Sequence, residues 1–427
     1  MCFVLAFPYL TKSQPAFATR VKDRIIKKTN QRADQKIDKA IDQTLDELEG
    51  KNTGSGPAAT NGAPASNPAP AQKESTLKEY SHFDFIPGAE LIYTEDFSRD
   101  AVGELALDWN SNGKGEVVSL ESFPGKWLKL FQNVNYLSAN NKPFPQNFTL
   151  EFDLIPQLKN TGYTFPLFTF GFLSTSDLPT TDNSLLEATY KYQSAEILIR
   201  PATNGASYSN VKTNLDKAGF FKGADQKLAD FERSYNKIAH IALQVQGSRL
   251  RVWINSEKVY DLPKALATNY INNQLFYKVS GSGYKDNEAA FFISNLKVAT
   301  GIPDTRQKLI EEGKFSTTAI LFDVNTATIK PESYGVLKEI AAVLKENGTI
   351  NITITGHTDS DGNDAANLTL SQKRAAAVKD ALANEYGIPA NRVATGGKGE
   401  SEPLADNSTK EGKAQNRRVE FTKQTNQ

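Results

Sequence analysis

Thiols are almost missing from this 427-residue chain: its one cysteine is Cys2, and everything after it is thiol-free. That leaves no framework of disulfides and suits an oxidising compartment. Charge of either sign in excess is also missing, since lysine plus arginine equals aspartate plus glutamate at 49 each. No global field draws the molecule to nucleic acid or to an anionic membrane, so charged recognition must be local.

Long apolar runs are the third absence. The opening stretch MCFVLAFPYL is too short to cross a bilayer, and no other segment would span as a helix, which disfavours a membrane-anchored motor stator. Ala16-Phe17-Ala18 places small residues where a signal peptidase reads, so residues 1–18 are expected to be a secretory signal, although no basic residue precedes the apolar run. Cys2 has no apolar stretch before it, so a lipid anchor on it is not expected.

Residues 19–49 read as one amphipathic charged helix, with Ala33, Ile37, Ile41, Leu45 and Leu48 at helical spacing. Its first half is basic and its second acidic, against the helix macrodipole. Contact with anionic lipid, pairing with another helix and a solvated arm all remain open. Residues 50–79 are rich in Gly, Pro, Ala, Ser and Asn and read as a linker.

From about residue 80 to 300 the period changes to two. In FTLEFDL, Phe148, Leu150, Phe152 and Leu154 share one face and Thr149, Glu151 and Asp153 the other. ELIYTEDF, KWLKLFQ, FPLFTFGFL, AEILIRP, IALQVQ, RLRVWIN, KVYDL and AAFFISNLKVA read as further strands between turn-forming clusters. An all-β sandwich of jelly-roll type is expected, and the pattern resembles concanavalin A-like or laminin-G-like sandwiches. An outer-membrane barrel shows the same alternation inverted, but the polar runs from Ser174 to Ser184 and Asn204 to Asn236 interrupt its hairpin spacing.

A short linker helix at 301–314 leads into alternating strands and helices over 315–423. TTAILF reads as a strand, and Pro331 opens a helix with Tyr334, Leu337, Ala341 and Leu344 buried. Ile350 to Thr355 reads as a second strand. The following helix is expected to start at Ser371 as N-cap, placing Arg374 in its first turn, and to stop at Gly387. Strands near Val393 and Val419 complete an α/β sandwich with βαβ units.

ILFDVNTATIKPES, TGHTDSDG, NLTLSQKRAAAV, GIPANRV, GGKGESEP and NRRVEF follow one another in the order and spacing of the OmpA-like peptidoglycan-binding family, which this quarter of the chain resembles. The resemblance implies binding to the diaminopimelate of the peptidoglycan stem, in the periplasm of a Gram-negative cell beside wall and outer membrane. Diaminopimelate ends in an ammonium and a carboxylate on one carbon, which calls for an anion and a cation a few ångströms apart. Asp359 and Arg374 fit those roles. They also fit a plain structural ion pair. By resemblance Thr358 and Asn367 supply hydrogen bonds, Leu370 and Ser371 shape the wall, and one of Arg417 and Arg418 faces the ligand.

No reaction chemistry, metal or cofactor is expected. DSDGND misses the calcium-loop pattern, with Asp364 where glycine is wanted and Leu370 where glutamate is wanted. Glu151 and Asp153 resemble half of a β-glucanase catalytic strand, but Pro156 stands where the second glutamate is needed, so they read as a solvated strand face. Trp253 shares a face with Arg249 and Arg251 and is the best candidate for an exposed sugar platform. The β-sandwich is thus expected to meet an envelope protein, the outer membrane or a glycan. The alternatives are a wall-localised lectin or glycoside hydrolase, and a porin.

Overall fold

The alternation in FTLEFDL becomes the middle of a sheet: Asn147–Leu158 pairs antiparallel with Ala239–Gln246 on one side and Ala289–Thr300 on the other. The computed structural model describes residues 84–424 except Asn141, Asp177, Thr180, Ser256 and 302–304. The expected signal, charged helix and linker lie outside the described residues.

Beyond Ala239–Gln246 this first sheet continues to Arg249–Ile254 and Glu257–Leu262. Beyond Ala289–Thr300 it continues to Phe123–Leu130 and Gly115–Leu120, with Glu90–Glu95 also on Ala289–Thr300. A second eight-stranded sheet runs Ala218–Lys222, Tyr208–Leu215, Ser194–Arg200, Phe168–Leu173, Gln274–Val279, Val134–Leu137 and Asn110–Ser111, with Gln226–Lys227 on Tyr208–Leu215.

The two sheets share one apolar core. Phe148, Leu150, Phe152 and Leu154 of the first meet Phe168, Phe170 and Phe172 of the second, with the Phe152 and Phe170 rings 5.1 Å apart, edge to face. Apolar side chains therefore turn toward each other and not outward, as a barrel would need. The polar run from Asn204 to Asn236 is itself strand: Tyr208–Leu215 and Ala218–Lys222 form a hairpin whose turn residues, Asp216 and Lys217, have φ of 50° and 67°.

Trp253 corrects an expectation. It does lie on the outer face, as its alternation with Leu250, Val252 and Ile254 requires, yet it is only 1% exposed. Phe85 crosses over it at 5.2 Å and its indole N–H donates to Asp84 Oδ1 at 2.9 Å. A covered indole cannot stack on a sugar. Trp253→Ala is expected to cost about 3–5 kcal/mol of stability, read as a lowered urea midpoint, while glycan-array signals stay where the wild type has them.

The C-terminal part has its own sheet, in the order Lys314–Thr317, Val419–Lys423, Ile352–His357 and Val393–Gly399. The last two are parallel and the other pairs antiparallel. The first strand is KFST and not TTAILF, of which Thr317 ends that strand opposite Val419 and Phe322 joins a bridge to Ile329. Four helices accompany the sheet: α1 (Thr305–Ile310), α2 (Tyr334–Glu346), α3 (Asp364–Asn384) and α4 (Lys410–Asn416). Leu337, Ala341 and Leu344 of α2 and Ala375, Val378 and Leu382 of α3 are buried as their spacing predicts.

A parallel strand pair needs a crossover, and α3 supplies it. It packs very close. A Cβ on Gly356 would lie 2.2 Å from the Ser371 carbonyl oxygen, and one on Gly397 would lie 2.4 Å from Ser371 Oγ. Gly356 of TGH and Gly397 of GGKG are there for that approach.

Candidate ligand site

The strand Ile352–His357 ends at a loop, and Asp359 stands two residues beyond it, 7% exposed. The loop is tied down by polar contacts. Thr358 N–H donates to the Gly399 carbonyl at 2.9 Å, and Asn367 Nδ2 reaches the Asp361 carbonyl at 3.0 Å and Glu400 Oε2 at 2.6 Å. Asn367 is buried and holds the loop that carries Asp359.

α3 begins seven residues before the expected Ser371. Asn363 is its N-cap, accepting from the N–H groups of Ala365 and Ala366 at 3.0 and 3.2 Å. Ser371 is therefore inside the helix. Its hydroxyl donates to the Leu368 carbonyl at 2.7 Å and accepts from Gly399 N–H at 3.0 Å. Arg374 stands well past the first turn, so its charge is not added to that of the helix N-terminus.

Arg374 and Asp359 are not hydrogen-bonded to each other. Arg374 Nε donates to the Thr326 carbonyl at 3.0 Å, and the guanidinium lies 4.9 Å over the Phe322 ring. Burial pulls its pKa down from the ordinary arginine value; the Asp359 carboxylate opposes that pull and Arg417 adds to it. Asp359 is paired instead with the Arg417 guanidinium. Adjacent Arg417 and Arg418 point to different surroundings. Arg418 is 4% exposed and committed to Glu420, at 2.8 and 2.9 Å, and to the Glu402 carbonyl at 3.0 Å. Arg417 is thus the one that meets Asp359, while Arg418, which also borders the cleft, is paired with Glu420. Glu420 is buried, which raises its pKa, but His357, Lys314 and Arg418 together drive it far below the carboxylate range.

Asp359, Arg374, Arg417, Thr358, Asn367 and Leu370 line one wall of a cleft of about 420 Å³. Thr358 is 5% exposed, and its Oγ1 has no hydrogen-bond partner among the described residues. Carboxylate, two guanidinia and an unspent hydroxyl in one cleft suit a small zwitterion. Among the described residues no group of His, Cys, Asp and Glu is arranged to hold a metal ion.

The opposite wall is the outer face of the first sheet, which sequence reasoning assigned to solvent. Glu151 and Asp153 are 6% and 4% exposed. His240 sits between them, with Nδ1 2.8 Å from Asp153 Oδ1 and Nε2 3.4 Å from Glu151 Oε2. Asn295 donates to Asp153 at 2.8 Å and Lys297 lies 3.6 Å from Glu151. The solvated-face expectation fails because the C-terminal part covers this face: Lys330 is 3.8 Å from Asp153, Lys410 is 2.5 Å from Glu95, and Arg99 donates to the Ser408 carbonyl.

Comparison with known proteins bears on the C-terminal part of the chain. The chain is 48% identical over 101 residues to outer membrane porin F of Pseudomonas aeruginosa, covering 24% of this chain and 29% of that protein. It is 47% identical over 103 residues to the probable lipoprotein YiaD of Escherichia coli, covering 24% and 47%. With the peptidoglycan-binding protein ArfA of Mycobacterium bovis it shares 40% over 102 residues, covering 24% and 31%. The chain thus spans less than half the length of each of these relatives. The match to a family model runs from residue 321 to 417, and it encloses Thr358, Asp359, Asn367, Arg374 and Arg417: this part of the chain is a domain of the OmpA family.

Proposed function

We propose that the protein is a non-catalytic anchor of the cell envelope, gripping peptidoglycan through the diaminopimelate of its stem peptide. The observation that carries this reading is Arg374, a partly buried guanidinium with no hydrogen-bonded carboxylate among the described residues, opening on the same cleft as Asp359. A ligand carboxylate satisfies Arg374 bidentately, and the ligand ammonium takes the Asp359 carboxylate now shared with Arg417. Thr358 Oγ1 supplies a further hydrogen bond. The relative named for peptidoglycan binding supports this assignment, as do relatives named as outer-membrane proteins and a lipoprotein for a place in the envelope.

Catalysis finds no support in the cleft. His240, clasped by two carboxylates, is held as the imidazolium and is no base at neutral pH. Co-sedimentation of the full chain with purified sacculi, competed by free diaminopimelate, tests the proposal. Retention that diaminopimelate does not reduce would remove the stem peptide as ligand.

A further inference from the structure

α4 turns cations toward the sandwich. Lys410 and Arg417, at its two ends, stand two helical turns apart and so on one side of it. Lys410 goes to Glu95 at 2.5 Å, with Asp100 3.8 Å away. The next residue of the sandwich, Asp96, lines the same cleft as Arg417. Successive residues of a regular strand point to opposite faces, so Glu95 and Asp96 would not both serve one neighbour there. The strand Glu90–Glu95 ends at this point, and Phe97 is buried and left-handed at φ 57°, a conformation rare for phenylalanine and retained chiefly where function needs it.

Arg417 is the side chain that a ligand ammonium must displace. Asp359 is only 7% exposed, with Oδ1 accepting from the Asp361 N–H at 3.3 Å and Oδ2 held by Arg417. The ammonium reaches Oδ2 only as Arg417 leaves it. A guanidinium released into a partly desolvated cleft needs another carboxylate. Most acids around it are taken. Asp361 holds Lys413 at 2.6 Å, Glu420 holds Arg418 at 2.8 Å, and Glu151 and Asp153 clasp His240, with Lys297 and Lys330 beside them. Asp96 accepts from the Ser98 N–H at 3.0 Å and forms no ion pair among the described residues. Burial raises its pKa, but the bonds from Ser98 and the charges of Arg417 and Lys410 outweigh that and hold it below the usual carboxylate value. The Arg417 side chain is 41% exposed, with room to turn.

We propose that Asp96 of the sandwich is a positioning residue for the ligand site: as diaminopimelate takes Asp359, Arg417 swings from Asp359 to Asp96. This rests on the diaminopimelate reading and deepens it. Asp96 does not touch the ligand. It receives the cation that the ligand displaces, so the affinity of the C-terminal domain depends on a residue outside that domain.

Free diaminopimelate, titrated calorimetrically into the full chain, tests this through a cycle of Asp96→Asn and Arg417→Ala. Asp96→Asn is expected to weaken binding about tenfold, while Asp96→Glu, which keeps the charge, stays within about threefold of wild type. In the Arg417→Ala background no guanidinium has to move. Binding there should be at least as tight as wild type, and adding Asp96→Asn should change it less than about twofold. Unchanged binding by Asp96→Asn overturns the proposal. So does a loss of equal size with and without Arg417, which is what a direct contact or a merely structural role would give. An Arg417→Ala chain that no longer binds overturns it as well, since Arg417 would then be holding the ligand. An Arg374→Ala chain that binds diaminopimelate as tightly as wild type sinks the parent reading instead, whatever the cycle shows.

Discussion

Arg374→Ala is expected to weaken retention on purified sacculi by roughly 30- to 150-fold, about 2–3 kcal/mol, with little change in folding stability. The two effects separate because of what the side chain does in the structure. Among the described residues its hydrogen bond is to the Thr326 carbonyl and its ring contact is with Phe322, so truncation strips no buried partner of its charge. The loss falls on the ligand carboxylate. Asp359→Asn behaves differently, because it also leaves Arg417 without the carboxylate that now holds it. That variant should lose binding to a similar extent and also lose some thermal stability. Arg418→Ala gives the contrast: it leaves Glu420 buried without its guanidinium, so a drop in melting temperature is expected with binding per folded molecule retained. Equal retention by Arg374→Ala and wild type in sedimentation would remove Arg374 from the site.

How much of this was legible beforehand depends on what each residue's position encodes. The linked motifs from Ile320 to Phe421 specify the C-terminal domain strongly, and the resemblance they carry singles out Asp359 and Arg374, which charge and spacing alone leave equally open to a plain structural ion pair. The start of α3 is not legible in the same way. Ser371 makes a plausible cap, yet the stretch DAANLTL before it is helical because Asn363 caps it, and that stretch shows no apolar periodicity strong enough to announce a helix. Arg417 could not be chosen over Arg418, since only the turn at the end of α4 decides which one meets Asp359.

The sandwich shows a more general limit. Period-two alternation placed Trp253, Glu151 and Asp153 correctly on outer faces, and it went no further. An outer face is exposed only if nothing covers it. The Asp84–Phe85 segment covers Trp253, and the C-terminal domain covers Glu151 and Asp153. These partners lie tens to hundreds of residues away in the chain, as do the strands that bring His240 opposite Asp153. A charged pair such as Glu151 and Asp153 looks the same in a sequence whether water or an imidazolium faces it.

The buried trio of Glu151, Asp153 and His240 should therefore carry a large and pH-dependent share of the sandwich's stability. His240→Leu leaves two carboxylates side by side without their common cation, and about 3–5 kcal/mol of destabilisation is expected at neutral pH. The direction with pH follows from the shifts. His240 is raised from 6.5 to about 10, so its contribution is full below pH 6.5 and fades as pH rises through about 10. Asp153 is pushed the other way: burial raises it, but His240, Lys330 and Asn295 bring it down to about 2, so its contribution is present above pH 3.8 and fades as pH falls through about 2. Urea midpoints of wild type and His240→Leu should thus differ most between pH 4 and 6.5 and converge toward pH 10. A gap that stays constant across that upper window would mean the ring acts by packing and not by charge. Replacing all three residues together, Glu151→Gln, Asp153→Asn and His240→Leu, should recover much of the loss by removing the carboxylates that need a cation. It should also flatten the pH profile, since no member of the trio then titrates.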